Sequence, residues 1–178
     1  MSSPVIWSPI RRTPLPVGAL KGSVFMHRST IREVFEILRE QSARGLDPNG
    51  NEGLVFLGGH AAGDTLTLTT VVTPEVRNDF GSVFVTPQEF GRAAKRARGL
   101  GTQILCQVHS HPDDCCHHSD GDDKLVILPF EGMLSIVMPN YGREEAPIER
   151  WGIHQFSEAT WHWCDGMSVR NNFYIQMS

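Results

Sequence analysis

Residues 108–112 read Val108-His109-Ser110-His111-Pro112, and Ser119-Asp120-Gly121-Asp122 begins seven residues after that proline. If the first stretch ends a β-strand, the two-residue period of the strand places the imidazoles of His109 and His111 on one face. The proline behind His111 favours an extended backbone there. Two neutral imidazoles and the carboxylate of Asp122 would give zinc three ligands and leave a fourth position for water, as in catalytic sites. The pattern therefore favours a zinc-dependent hydrolase.

Each half of this pattern also has an ordinary structural interpretation. A His-x-His pair is common, and Ser119 followed by Asp122 has the spacing of a helix capping box. The combination, behind an apolar strand and with a proline directly after the second histidine, indicates zinc binding. It resembles the JAMM (MPN-plus) family of zinc isopeptidases, whose motif His-Ser-His-Pro-x(6)-Ser-x-x-Asp the chain matches at every position. The resemblance implies the MPN/JAB fold, which is similar to the cytidine-deaminase fold.

The length and composition are those of one globular domain. A chain of 178 residues, 40% hydrophobic and 20% charged, can bury one sizeable core but is short for two. Four prolines within residues 1–16 favour an extended arm over regular structure. We therefore predict a proline-rich arm over residues 1–20 and a single domain over residues 21–178.

Composition also argues against several classes of protein. No apolar run approaches the ~20 residues of a membrane span, and the N-terminus lacks a secretory signal, so a cytoplasmic protein without membrane contact is expected. The net charge of −4 argues against general nucleic-acid binding. The four cysteines have the spacing of neither a zinc ribbon nor a disulfide framework, so reduced thiols are expected. One local basic patch is interpreted as a solvated helix face: Arg92, Lys95, Arg96 and Arg98.

The apolar patterns predict strands mixed with three helices, which indicates an α/β sandwich with a central mixed β-sheet flanked by helices. The first predicted helix opens with the capping box Thr30-x-x-Glu33 and ends near Arg44. The second runs from Pro87 to Gly99 behind a cap at Thr86. The third follows Ser119 and carries Leu125 to Leu128. The predicted strands cover residues 24–26, 53–59, 65–72, 83–85, 102–108, 133–138, 151–156, 160–163 and 173–175, the last as a strand or a helix end. Residues 74–82 are predicted to form a loop.

Amide hydrolysis also needs a group that moves a proton. The JAMM resemblance implies a glutamate ahead of an apolar strand that ends in glycine, and Glu52, with Gly59 seven residues later, fits that pattern. Val55 stands where the family often has glycine. By itself, Glu52 would be interpreted as a surface acid at a strand start, but within the family pattern it is the predicted proton shuttle. Four other acids do not precede an apolar strand in this way: Glu33, Glu36, Glu75 and Glu89.

Ser119 has two compatible interpretations. It can cap the helix predicted to follow it, and the JAMM resemblance implies that its hydroxyl hydrogen-bonds the oxyanion that develops opposite the zinc. Ser110 points away from the metal if the strand alternation holds, so it is interpreted as structural.

The loop between the second histidine and Ser119 holds four further metal-ligand types, Cys115, Cys116, His117 and His118. Adjacent side chains rarely converge on one tetrahedral ion, and no second Cys or His pair is placed to complete a site. A polar active-site loop is therefore expected, with redox sensitivity or regulation as a further hypothesis.

The resemblance implies a deubiquitinase-like isopeptidase or peptidase that cleaves after the C-terminal glycine of ubiquitin or a ubiquitin-like protein, with zinc activating the water. The compact length is similar to that of stand-alone bacterial members, some of which accompany ubiquitin-like activating and conjugating enzymes. Two alternatives are the processing of a ubiquitin-like sulfur-carrier protein, which needs the same site, and a non-catalytic MPN scaffold, which the intact motif argues against. A zinc deaminase is disfavoured because its Cys-x-x-Cys and His-x-Glu motifs are absent.

An isopeptidase must also hold a flexible, glycine-ending tail in an extended form at the metal. An exposed strand edge does this through backbone hydrogen bonds that tolerate any sequence. The strands predicted over residues 53–59 and 65–72 are expected to pair as a hairpin. Residues 74–85 follow that hairpin and contain the β-prone run Val83-Phe84-Val85. We predict that this run binds the substrate tail, with an ordinary surface loop as the alternative interpretation.

Overall fold

The computed structural model describes residues 14–45, 47–125 and 128–177. The strands within these ranges are β1 (Val17–Gly18), β2 (Ser23–His27), β3 (Leu54–Ala62), β4 (Thr65–Val72), β5 (Arg77–Asp79), β6 (Ser82–Phe84), β7 (Gln103–Ser110), β8 (Leu134–Met138), β9 (Gly152–Ser157), β10 (Thr160–Cys164) and β11 (Phe173–Gln176). The α-helices within them are α1 (Arg28–Arg44), α2 (Pro87–Gly99) and α3 (Gly166–Asn172).

Nine of these strands form one mixed sheet in the order β1-β10-β9-β8-β7-β3-β4-β2-β11, and β5 pairs with β6 as a separate hairpin. At the centre of the sheet, β7 pairs antiparallel with β3 and parallel with β8. The predicted α/β architecture with a central mixed sheet and flanking helices is confirmed. No helix within the described ranges has the length and apolar character needed to cross a membrane.

Two apolar cores lie on opposite faces of the sheet. Alternate residues of a strand point to opposite faces. Accordingly, Val55 and Leu57 of β3 pack with the buried face of α1, whereas Leu54 and Phe56 pack with α2. Because helices cover both faces of the sheet, the central strands are buried. The candidate functional site lies at one end of these strands.

The two longer helices differ in how well sequence predicted their starts. For α2, the Thr86 hydroxyl accepts a hydrogen bond from the backbone of Glu89, proline occupies the first turn and the helix ends at Gly99, as predicted. The predicted capping box at Thr30 is wrong, because α1 begins at Arg28 directly after β2. The ring of His27 accepts from the backbone of Ser29 instead, which caps the helix three residues earlier than Thr30.

The third predicted helix is not found where it was expected. After Ser119 the chain forms a 3₁₀ turn over Asp122–Lys124, with Leu125 in a turn and Leu128 in a bend; residues 126 and 127 lie outside the described residues. The third helix is α3, and it leads into β11, which pairs in parallel with β2. The strands predicted over residues 151–156 and 160–163 are confirmed as β9 and β10, which pair as an antiparallel hairpin.

Two further segments depart from the predictions. Residues 74–82 are not wholly a loop, because residues 77–79 pair with residues 82–84 as β5 and β6. At the other end of the chain, Val17 and Gly18 pair with β10, and Leu20 is buried in the core with 3% of its surface exposed. The last part of the predicted arm therefore joins the domain, whereas residues 1–13 lie outside the described residues.

Candidate metal centre and active site

The end of β7 brings His109 and His111 together. Their Nε2 atoms are 3.3 Å apart and both side chains are buried, which confirms the face predicted from the period of the strand. Past the strand, the backbone N–H of His111 donates to the carbonyl of Met138, and its carbonyl accepts from the N–H of Tyr141. These bonds fix the second imidazole although it lies just outside the strand.

Asp122 completes the group. Its Oδ1 lies 3.3 Å from His109 Nε2, and its Oδ2 lies 3.1 Å from His111 Nε2. The backbone N–H of Ser119 donates to Asp122 Oδ2 at 2.6 Å, and the N–H of Asp122 donates to Ser119 Oγ at 3.2 Å. The Ser119 hydroxyl therefore accepts the backbone hydrogen bond expected of a cap, but a 3₁₀ turn follows it instead of the predicted helix. Within the described ranges, this is the group of three metal-ligating side chains whose ligand atoms converge, all within 4.8 Å of one another.

The chemistry of these donors fits a divalent metal. His111 Nδ1 lies 2.7 Å from the carbonyl of Cys115, so Nδ1–H donates and the lone pair of Nε2 points toward His109 and Asp122. Burial raises the pKa of the Asp122 carboxyl, but the charges and hydrogen bonds of both histidines lower it well below its usual range. Two ring nitrogens and an anionic oxygen, all buried and facing one point, are a ligand set that a metal ion satisfies.

Strand register brings Glu52 to the same place. Leu54 of β3 lies opposite His109 of β7, and the N–H of Ser110 donates to the carbonyl of Gly53. Continuing that register by one residue places Glu52 beside His111. The Ser110 hydroxyl accepts from the N–H of Gly53 at 2.9 Å, so Ser110 is structural, as predicted.

The backbone of Glu52 is held by the β5–β6 hairpin. Its N–H donates to the carbonyl of Asp79, and its carbonyl accepts from Asn78 Nδ2 at 2.6 Å. Burial raises the pKa of the Glu52 carboxyl to about 8, and the neighbouring His111 lowers it in part. A cation bound by the three ligands would lower this pKa further, toward the range in which a carboxyl both accepts and returns a proton.

Glu52, His111, Ser119 and Asp122 open onto one cleft of about 330 Å³. Residues of the hairpin form another part of its wall, including Val83 and Phe84. Phe84 is 51% exposed, whereas Val83 and Val85 are both buried in the core on the α2 side. Of the three residues predicted to bind the tail, Phe84 is therefore the exposed one, and Val85 does not line the cleft; tail binding itself stays a prediction.

The other residues considered from sequence lie elsewhere. The backbone N–H of Glu75 donates to the Glu89 carboxylate near the start of α2, which accounts for both acids. In the loop before Ser119, burial raises the pKa of the Cys116 thiol to about 12, so this thiol does not ionise readily. The four residues that form the basic patch are exposed on α2, as interpreted.

Sequence reasoning missed the residues that support the site. Gln41 of α1 holds both backbone groups of Leu54, with its Nε2 donating to the carbonyl and its Oε1 accepting from the N–H. Asn78 holds Glu52 from a position 26 residues away in the chain. No short sequence motif marks either residue, because the tertiary structure determines which backbone groups each side chain contacts.

Comparison with known proteins identifies the family. No family model matches the sequence. The probable metalloprotease y4jG of Sinorhizobium fredii is 30% identical to the chain over 124 residues, which are 67% of this chain and 76% of that protein. The chain belongs to the JAMM (MPN-plus) family of metalloproteases. As a JAMM protein, it is a member of a group of metal-dependent peptidases, and its buried His-His-Asp group is a candidate site for the metal.

A solved structure shares the fold of this chain at low sequence identity. A Desulfitobacterium hafniense protein with a known solution structure matches this JAMM chain with a TM-score of 0.64 and 17% identity, over 87% of this chain and 94% of that one. A JAB1/MPN domain protein from Archaeoglobus fulgidus matches with a TM-score of 0.49 and 18% identity, over 86% of this chain and 98% of that one.

Proposed function

We propose that this JAMM protein is a zinc-dependent isopeptidase or peptidase that cleaves after the C-terminal glycine of ubiquitin or a ubiquitin-like protein. The observation that carries the proposal is the convergence of three buried metal-ligating side chains with Glu52 and Ser119 at one cleft. A merely structural metal site would occupy four protein ligands and would not need a buried acid beside it.

The residues of the cleft divide the reaction between them. A zinc ion held by His109, His111 and Asp122 would act as a Lewis acid and make water nucleophilic at neutral pH. The Glu52 carboxylate accepts a proton from the attacking water and delivers it to the nitrogen of the leaving amine as the C–N bond breaks. The hydroxyl of Ser119 accepts from the N–H of Asp122, so its own proton is available to the carbonyl oxygen of the substrate.

The cleft also suits an extended chain end. The hairpin strand β6 forms part of the cleft wall, and within the described residues β6 pairs only with β5. A glycine-ending tail laid along this wall would gain backbone hydrogen bonds, while the exposed ring of Phe84 would contact its side chains. Support for ubiquitin-like specificity comes from this cleft together with the family motif.

The test is incubation of the protein with a ubiquitin-like protein that carries a C-terminal fusion, with and without a chelator, followed by mass spectrometry. Cleavage directly after the terminal glycine, lost with the chelator and restored by zinc, is expected. A parallel incubation with a sulfur-carrier protein extended at its C-terminus distinguishes the two substrate classes. If neither fusion is cut by the zinc-loaded protein, the proposed activity is wrong.

The ligand assignment is tested on the same preparations. We predict one zinc per chain in the wild type and loss of both zinc and cleavage in His111→Ala, because that substitution removes one of three ligands. His60→Ala is the matched control, since His60 is an exposed histidine of β3. A full equivalent of zinc in His111→Ala would contradict the assignment.

A further inference from the structure

A buried polar cluster lies directly behind the candidate metal centre. His118, whose side chain has no exposed surface, has Nδ1 3.0 Å from Asp123 Oδ1 and Nε2 2.8 Å from Ser135 Oγ. Its ring stacks on the buried ring of His154, with the centroids 3.7 Å apart and the planes 20° from parallel. Polar groups buried this deeply are stabilising only when they are hydrogen-bonded, so the cluster constrains where His118 can lie.

The hydrogen bonds of the cluster follow a consistent donor order. Gln107 Nε2 donates to Ser135 Oγ at 2.9 Å, which leaves the Ser135 hydroxyl proton for His118 Nε2. His118 Nδ1–H then donates to Asp123. The backbone N–H of His118 donates to His154 Nε2 at 3.3 Å. One loop residue is thus hydrogen-bonded directly to side chains of β8 and β9, and through Ser135 it is connected to Gln107 of β7.

The place of His118 in the chain connects this cluster to the chemistry. It directly precedes Ser119 and comes four residues before Asp122, and its ring centroid is 5.9 Å from that of His109. Residues 112–121 contain neither helix nor strand, so the hydrogen bonds of regular secondary structure do not fix the path of this segment. They therefore do not set the positions of Ser119 and Asp122 relative to the sheet. Their positions depend on tethers between the loop and the sheet, and His118 is the tether adjacent to Ser119.

We propose that His118 is a positioning residue, which through Ser135 and Asp123 holds the loop so that Asp122 and Ser119 face the two histidines at the end of β7. Its consequence for turnover rests on the proposed function, whereas its consequence for metal binding does not. The hydrogen bonds matter in this role, rather than the ring alone, because it is they that connect the loop to β8.

The experiment compares two phenylalanine substitutions at neighbouring positions. His118→Phe keeps a ring for stacking on His154 but removes both hydrogen bonds of the side chain. His117→Phe is the matched control, because the exposed ring of His117 stacks on Trp163, with the centroids 3.9 Å apart. Ser135→Ala removes the partner of His118 Nε2 with a small change in volume, and it decides the test if His118→Phe does not fold.

Zinc affinity is measured by chelator competition and ligand geometry by the absorption bands of the Co²⁺-substituted protein. Loss of a residue that orients metal ligands typically weakens affinity or activity on the order of 10- to 100-fold, and we expect that loss in His118→Phe and Ser135→Ala, with altered Co²⁺ bands. We expect kcat to fall with KM little changed, because Ser119 acts in the transition state. His117→Phe should match the wild type.

A double variant tests whether the two residues act through one tether. If they do, His118→Phe combined with Ser135→Ala is no worse than His118→Phe alone, whereas independent effects would add. Wild-type zinc affinity and Co²⁺ bands in a folded His118→Phe, or in a folded Ser135→Ala if His118→Phe does not fold, would overturn the proposal. If the wild type binds zinc but cuts no ubiquitin-like fusion, the proposed function fails, and the affinities and spectra still decide the role of His118.

Discussion

Glu52 is an acid whose surroundings change its chemistry. Only 3% of its surface is exposed, and burial raises the pKa of its carboxyl to about 8. The hairpin forms hydrogen bonds to both the backbone N–H and the backbone carbonyl of Glu52. The side-chain carboxyl is therefore positioned by bonds that do not involve its own oxygens. A carboxyl that is buried, positioned and close to a cation site has the properties of a proton shuttle.

Glu52→Gln is predicted to keep the fold and the metal but to lower kcat by about 100-fold or more, the usual scale of general acid–base catalysis. The amide keeps the size of the side chain but cannot accept the proton. Single-turnover kinetics on zinc-loaded protein measure the effect. Glu75→Gln serves as the control, because Glu75 is an exposed acid bonded through its backbone near α2. Turnover near that of the wild type in Glu52→Gln would move the role to another residue.

Ser119 contributes both a structural acceptor and a candidate oxyanion donor. Ser119→Ala is predicted to lower kcat by about 100-fold, the effect of losing one oxyanion-hole donor, while zinc stays bound to its three ligands. Ser119→Thr keeps the hydroxyl and should retain much of the activity. The comparison of kcat at full zinc occupancy separates the two roles. Loss of zinc from Ser119→Ala would show that its bond to the backbone of Asp122 is its main role.

At the scale of elements, the β5–β6 hairpin connects catalysis with substrate binding. One strand holds Glu52 through Asn78 and Asp79, and the other forms part of the cleft wall. The turn between the strands is held in place by Tyr141, whose hydroxyl donates to the carbonyl of Phe80 at 2.8 Å. A small hairpin outside the main sheet therefore places both the acid and the wall of the cleft.

Phe84→Ser is predicted to raise KM about 10-fold for a ubiquitin-like fusion and to leave zinc affinity unchanged. Burial of a phenylalanine ring by a bound tail contributes roughly 1.5–3 kcal/mol when complete, and the half-exposed ring of Phe84 would supply part of that. Steady-state kinetics measure the change. The control is Leu100→Ser, at an exposed apolar residue directly after α2. An unchanged KM in Phe84→Ser would place the tail elsewhere.

At the scale of the whole molecule, the site lies where the central strands end between two cores. His109 and Asp122 are both buried, and they lie on two segments of the chain, β7 and the end of the loop that follows it. No covalent bond joins the two ligands directly. A metal that binds the folded chain but not the unfolded chain stabilises the fold by mass action. The metal would therefore join the loop to the sheet as well as take part in the reaction.

Zinc at 100 times its dissociation constant is predicted to stabilise the protein by about 2.7 kcal/mol, which corresponds to a Tm increase of roughly 5–10 °C for a chain of this size. Calorimetry with zinc and with a chelator measures the shift. Asp122→Asn should show little of it, since the variant lacks the anionic ligand, whereas His60→Ala should show all of it. Identical Tm values for wild-type protein with zinc and with chelator would contradict the prediction.

The sequence by itself determined the three candidate metal ligands and the helix α2. His109 and His111 are two residues apart at the end of a strand, and Ser119 and Asp122 are three apart at a turn, so local backbone geometry brings each pair together. The cap and first turn of α2 follow from the same kind of local rule. Patterns that span two or three residues follow from the periodicity of the backbone, so they can be interpreted without information on distant contacts.

Only the tertiary structure decided which residues surround those ligands. Gly53 and Ser110, which join Glu52 to the histidine strand, are 57 residues apart, and the β3–β7 register that pairs them is not encoded in any short motif. The tether of His118 likewise depends on Ser135, 17 residues away, and on His154, 36 residues away. The predicted helix after Ser119 gave way to a 3₁₀ turn. In that loop, hydrogen bonds to the sheet determine the path of the chain, and they exist only once the sheet has formed.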